Sequence, residues 1–532
     1  KIRGLSGERE KLREALENLG KKETKDYFLW EIDFAEIFAE KGGFDIVIGN
    51  PPYVRQEKIA FPLEKEENYE NPEEWRARKR LYKEKLASSV KMHWGNAIKI
   101  NKKSDLYVYF YYHGLALLRP SGIFCFINSN SWLDVGYGAC LQEFLLKNME
   151  PLYIVDNQAK RSFKESDVNT IIVAVKRPEE VKDTTMKFVN YKKPFEEVLT
   201  ADNLVEIERS SKVTSTDDFR VFPITKKELL KDGVELPKEK TLLGRPEDLP
   251  YIGSKWGGKY LRAPDIFFKI LEKGKGKLVS LEPNIGKVIT VSWSRKGRNK
   301  YLLIPKTTRI STSELVGDVI KTPKEINTIT FTKNLTHHYL RLTKDVKNEV
   351  KKARLLWVDI RGDKHICHNN VDAIYFTHNF HGIVVHDNSL NSELCAVLNS
   401  TIVWLFVEVL GRRGLGGGAV RLLVEDLRRT PIVIDFFHLS LEQRKNIETI
   451  LRQRLSQRPV KSVFEELGLP KPNRDYSNVD PNDVSLDKVM PDRRELDKVI
   501  FKTLGLTEEE QLEVYRAIVG LVKNRLIKAR SV

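Results

Sequence analysis

The 532 residues carry 90 lysines and arginines against 74 acids, a formal charge of +16, which favours a polyanionic partner. Hydrophobic residues make up 41% and charged residues 31%, the ordinary balance of a soluble protein with two to four domains. Four scattered cysteines (Cys125, Cys140, Cys367, Cys395) with no CxxC pair exclude a disulfide framework and fit a reducing, cytoplasmic setting; no signal peptide or membrane-length apolar run is visible.

Residues 5–20 read as a helix with Leu12, Leu16 and Leu19 on one side and Gly20 as a stop. Residues 27–38 alternate and then turn helix-like, leading into the run Phe44–Asp45–Ile46–Val47–Ile48, which has the look of a buried parallel strand. It ends in Gly49–Asn50–Pro51–Pro52–Tyr53. Each proline lacks an N–H and holds φ near −65°, and Pro51 pushes Asn50 out of the α region. The turn is stiff. It pairs an amide oxygen with a neighbouring carbonyl, two acceptors suited to the two hydrogens of an exocyclic amine, and Tyr53 adds a flat face for the ring bearing that amine.

Residues 57–104 are charge-rich and read as polar helices and loop. Asp105, Leu106 and Phe110 open an amphipathic helix running to Leu118. Arg119–Pro120–Ser121–Gly122 then makes a turn into strand 123–127, followed by helix 137–147. Strands 152–155 and 170–175 flank a loop that carries Phe163, and 228–250 reads as a linker or surface loop. Strands 286–291 and 300–305 are expected to form a hairpin. Its basic tip holds Trp293, Arg295, Lys296, Arg298 and Asn299, side-chain types suited to phosphates, an adenine edge and stacking.

Further on, a Cys/His zinc site can be drawn from Cys367, His368, His378 and His381, but the first two are adjacent, a poor spacing for tetrahedral ligation. The histidine-rich, basic stretch is better read as part of a recognition surface. Residues 391–410 read as one helix. The glycine-rich run after it holds Arg412 and Arg413, candidates for phosphate contact, although no GK[ST] closes it into a P-loop. The tail from 438 reads as helices 440–454, 461–466, 485–504 and 508–529.

The tetrapeptide Asn50-Pro51-Pro52-Tyr53 at a strand end resembles the catalytic motif of amino-group DNA methyltransferases that make N6-methyladenine. The chain from about 27 to 440 resembles their gamma-type branch of restriction–modification and phage-defence enzymes, with a target-recognition domain after the catalytic half. The resemblance implies an α/β fold: the C-terminal part of a Rossmann-like methyltransferase sheet, an α+β recognition domain and a helical tail. It places these in 1–200, 201–437 and 438–532. It implies that Asn50 and the Pro51 carbonyl accept from adenine N6, that Tyr53 and Phe163 hold the flipped base, and that Asp105, Leu106 and Phe110 wall the S-adenosylmethionine adenine pocket.

No metal is required for that transfer. The family's glycine-rich cofactor motif normally precedes NPPY by many tens of residues, whereas here 49 residues precede Asn50 and none match. The expectation is therefore that the main S-adenosylmethionine pocket lies on an upstream segment or second chain. Double-stranded DNA is the expected substrate, with a nuclease domain or subunit as a further associate and no membrane. Three readings stay open: an adenine-specific methyltransferase portion, a DNA-recognition subunit of a restriction or defence complex with no transfer activity of its own, or an RNA or protein methyltransferase.

Overall fold

The computed structural model describes residues 28–163, 168–234, 250–291, 303–310, 316–342, 350–413 and 417–531. Helix 5–20 and the loop of Trp293, Arg295, Lys296, Arg298 and Asn299 lie outside the described residues. The chain divides into two compact units. The first comprises Lys1–Ile127, Phe144–Leu152 and Val173–Lys182, and the second comprises Asn128–Glu143, Tyr153–Ile172 and Asp183–Val532.

In the first unit, helix α1 (Ala35–Lys41) ends on Gly42 in the left-handed region, φ 74°, and strand β1 (Phe44–Gly49) follows at once. β1 runs parallel to β2 (Leu118–Ser129), pairing Ile46 with Ile123 and Gly49 with Phe126, and it is the edge strand of its sheet. β2 begins at Leu118, so the expected turn at 119–122 is instead the irregular start of a strand. The register shifts between Phe44 and Ile46, and Ser121 takes φ 66°.

Between these strands the chain forms α2 (Pro72–Trp94) and α3 (Leu106–Ala116). Asn71 caps α2 by accepting from Glu73 N at 2.9 Å. α3 is apolar nearly all round, with Tyr107, Val108, Tyr111, Tyr112 and Leu115 buried. A Cβ on Gly114 would lie 2.9 Å from the Phe124 ring, so glycine there lets the helix settle on the strand.

β3 (Glu150–Asn157) and β4 (Thr170–Lys176) are each divided between the two units; within the second, β3 from Tyr153 onward runs parallel to β5 (Thr185–Tyr191). β5 also pairs antiparallel with β7 (Phe219–Thr225), whose outer neighbour is β6 (Thr214–Ser215). Two smaller sheets follow. One has five strands, with Leu355–Val358 between Cys367–Asn370 and Phe380–Val385; the other has four, including Val316–Ile320 and His338–Arg341.

Among the described residues, the two strands expected to form a hairpin over 286–305 pair with other strands. Gly286–Ile289 pairs with Phe380–Val385, while Leu303–Pro305 pairs with His338–Arg341 in the other sheet. The single helix expected over 391–410 is likewise two, α4 (Asn391–Leu398) and α5 (Thr401–Leu410), bent by 67°. Asn399 causes the break. Its amide donates to the carbonyls of Cys367 and Cys395 and accepts from Cys367 N, while Ser400 caps the second helix.

The tail helices α6 (Pro491–Leu504) and α7 (Glu508–Arg530) join one hydrophobic cluster that runs from Ala263 to Leu526. A buried polar frame ties them in: Arg525 grips Glu408 in a fork at 2.8 and 2.9 Å, and Asp497 accepts from Thr401 and Tyr515. Among the described residues no single helix is long and apolar enough to cross a membrane.

Candidate active site

β1 delivers Asn50 to the end of the strand. A Cβ on Gly49 would meet the Phe126 ring at 3.0 Å, so the last strand residue is small because β2 lies close beside it. Pro51 is buried, while Asn50 and Pro52 are exposed, so the turn is anchored through the first proline and presents the amide outward. Tyr53 is half-buried. Its hydroxyl lies 2.5 Å from the side-chain oxygen of Asn50 and 3.1 Å from the carbonyl of Ile127. Burial raises the Tyr53 pKa to about 12, so the phenol stays protonated and remains a donor at neutral pH.

The turn is fastened to the start of α3. Leu106 N donates to Val54 O at 3.0 Å, and the Asp105 carboxylate accepts from Gln56 N at 2.9 Å. Asp105 therefore holds the segment after NPPY in place. Leu106 is half-buried and Phe110 is 40% exposed, so these two offer apolar surface. Lys83, which the sequence did not single out, donates to the Gln56 side chain at 2.9 Å; burial lowers its pKa. Only the contact reveals it, since α2 carries many lysines.

The outer side of β1 is bare. Ile46 and Ile48 are 63% and 77% exposed, although a strand this apolar is ordinarily buried on both faces.

In the second unit, Phe163 is half-buried at the end of a loop built on Asn157, whose side-chain oxygen accepts from the backbones of Ala159 and Lys160. Arg412 pairs its backbone with Arg421. Arg413 turns inward: its side chain is 13% exposed, and its Nη2 donates to the Glu408 carbonyl and lies 3.9 Å from that carboxylate. Burial, reinforced by Arg262, lowers its pKa to about 9.

Three histidines of the expected recognition surface are interior groups. His365 bonds Leu398 O, His368 bonds Thr328 O, and His381 bonds Asp359. Among the described residues no cluster of His, Cys, Asp and Glu could hold a metal.

Residues 6–163 match the family model described as Eco57I restriction-modification methylase. The chain is 33% identical over 131 residues to the Type II methyltransferase M.BstVI of Geobacillus stearothermophilus, covering 25% of this chain and 18% of that protein. It is 25% identical over 417 residues to the Type II methyltransferase M.XhoI of Xanthomonas vasicola, covering 73% of this chain and 68% of the relative. Against two of its curated relatives, M.BstVI and M.XamI of Xanthomonas campestris pv. amaranthicola, the match spans only 18% and 16% of their length. Among solved structures, the Type IIL restriction-modification enzyme MmeI in complex with DNA aligns with a TM-score of 0.41 at 13% identity, over 92% of this chain and 59% of that one. The matched residues 6–163 include the Asn50–Tyr53 turn, so the candidate site lies within the part of the chain that is similar to the Eco57I restriction-modification methylase family model.

Proposed function

We propose that this chain is the catalytic and target-recognition portion of a site-specific DNA adenine-N6 methyltransferase, acting in restriction–modification or phage defence. The observation that supports the reading is the exposed Asn50 amide, set at the end of β1 beside two prolines with Tyr53 against it. An adenine amine carries two hydrogens. The Asn50 side-chain oxygen and the Pro51 carbonyl accept them and direct the nitrogen lone pair toward the methyl donor, which gains most as the nitrogen becomes tetrahedral. The Tyr53 ring stacks on the base once it leaves the helix, and Phe163 packs on it from its loop.

S-adenosylmethionine supplies the electrophilic methyl group. Leu106 and Phe110 are the residues of this chain suited to its purine, and Asp105 contributes by holding the NPPY segment. The rest of that pocket belongs to an upstream segment or a second chain, a reading supported by the bare apolar side of β1. Double-stranded DNA is the substrate. Trp293, Arg295, Lys296, Arg298, Asn299 and Arg412 are proposed to contact it, while Arg413 is turned inward to the Glu408 carbonyl. A nuclease domain or subunit is proposed as a further associate.

The test is transfer of labelled methyl from S-adenosylmethionine to unmodified genomic DNA by the native protein, followed by separation of nucleosides. Label in N6-methyldeoxyadenosine is the expected result. Label in N4-methyldeoxycytidine, or in RNA or protein, would overturn the reading.

A further inference from the structure

The tail of the second unit forms a basic groove. Two neighbouring clefts, of about 1440 and 540 Å³, have Asp363 and Lys364 in the lining of both. Six exposed cations line the pair: Lys324, Lys364, Lys461, Lys471, Arg474 and Arg530. Among the described residues none of the six has a carboxylate within ion-pair distance. Of the three acids in the larger cleft, Asp363 is half-buried and the other two are engaged elsewhere. Glu465 accepts from the Ser462 hydroxyl at 2.8 Å in a helix cap, and Asp475 accepts from the backbone and hydroxyl of Ser477.

The groove is also built rather than frayed. Asn478 accepts from Asn473 N and donates to the Lys471 carbonyl, which closes the loop carrying Lys471 and Arg474. Arg530 donates to the Arg474 carbonyl at 2.6 Å and lies over the Tyr476 ring, 4.9 Å from its centre. Tyr476 itself is 5% exposed, so the floor offers little apolar surface to insert into a lipid layer.

We propose that this groove binds the sugar–phosphate backbone of DNA, a contact additional to the recognition loops and independent of sequence. The proposal rests on the DNA-directed reading given above. A file of unpaired cations in a concave channel suits a polymer with regularly spaced phosphates, and neutralising each phosphate releases counterions. Phosphate contacts position the protein without specifying a base.

The test compares three full-length chains binding a fluorescent duplex of random sequence across a salt series. One is the parent. The second carries K364Q, K461Q, K471Q and R474Q. The third, with the same change in charge, carries K212Q, K227Q, K231Q and K275Q at exposed sites outside the groove. Melting curves establish that all are folded.

The groove variant should lose about tenfold or more in affinity near 0.1 M salt, and its slope of log affinity against log salt should flatten by about 2 to 4. The control should shift the slope by less than about 1. Equal slopes in the groove variant and the control overturn the proposal while leaving the methyltransferase reading in place. A parent that binds no duplex removes both. Loss of binding to phosphatidylserine vesicles with duplex binding unchanged would reassign the groove to a membrane surface and overturn it as well.

Discussion

The Tyr53 hydroxyl lies 2.5 Å from the side-chain oxygen of Asn50, so the ring expected to receive the target base is tied to the amide expected to polarise its amine. The amide oxygen has two lone pairs, and the phenol takes one of them. An entering amine must share that oxygen or displace the hydroxyl. Tyr53→Phe removes the competing donor and keeps the ring. It should preserve or raise methylation kcat/KM, by up to about tenfold for one neutral hydrogen bond, whereas Tyr53→Ala should lower it by a stacking contribution of about 1–3 kcal/mol. Steady-state kinetics on modified DNA fragments distinguish the two; equal losses in both variants would show that the hydroxyl itself is needed.

Arg413 should behave as an interior group. Arg413→Met removes a buried donor to the Glu408 carbonyl, and the expected cost is about 1–3 kcal/mol of stability, read as a lower denaturation midpoint. The salt slope of DNA binding should hold. A stable variant with a slope lowered by about one would return Arg413 to the role of phosphate contact.

The tail should be acid-sensitive. Burial pushes the Glu466 carboxyl up, but the guanidiniums of Arg493 and Arg458 outweigh it and hold the pKa at about 2. The ordinary value is 4.5, so this stabilisation is fully present above about pH 4.5 and is lost as pH falls toward 2. The difference is worth about 3 kcal/mol. Glu466→Gln should cost about 3–5 kcal/mol at neutral pH, because the buried Arg493 guanidinium loses its carboxylate while Arg458 keeps only Asp492, and its stability should vary less with pH below 4.5. Urea unfolding at pH 6 and pH 3 checks both; parallel pH dependence in parent and variant would show that Glu466 titrates normally.

Cofactor affinity should be poor in this chain by itself. Leu106 and Phe110 offer one apolar wall, which buries little of a charged ligand. Calorimetry should give a Kd of about 1 mM or weaker. Micromolar binding would mean that residues of this chain build the pocket unaided. Ile48→Ser, at a position 77% exposed, should change the chain's own stability by less than about 0.5 kcal/mol.

What the sequence made legible was local. The strand Phe44–Gly49 and the rigid turn after it follow from an apolar run meeting two prolines, and the last helix, expected over 508–529, is Glu508–Arg530, whereas the helix expected over 485–504 starts only at Pro491. Pairing between distant segments was not legible. Gly286–Ile289 and Leu303–Pro305 sit close in sequence and look like a hairpin, yet each finds its partner far along the chain.

The break at Asn399 depends on the Cys367 backbone, which no helical period announces. Charge misled in a similar way. Arg413 and the histidines at 365, 368 and 381 have surface-like identities, and only their interior partners show that they serve the core.

The most direct measurement of the central claim is the modification state of DNA from the native host, read by single-molecule sequencing and nucleoside mass spectrometry. It should be made with the parental allele and with one encoding Asn50→Ala. The amide is proposed to touch the reacting amine, and loss of one such contact lowers the rate about 10²-fold or more. The parental strain should carry N6-methyladenine at one defined sequence, and the Asn50→Ala strain should lose it there while the variant protein still binds DNA. N6-methyladenine undiminished at every site in the variant strain, or loss of N4-methylcytosine instead, would contradict the account.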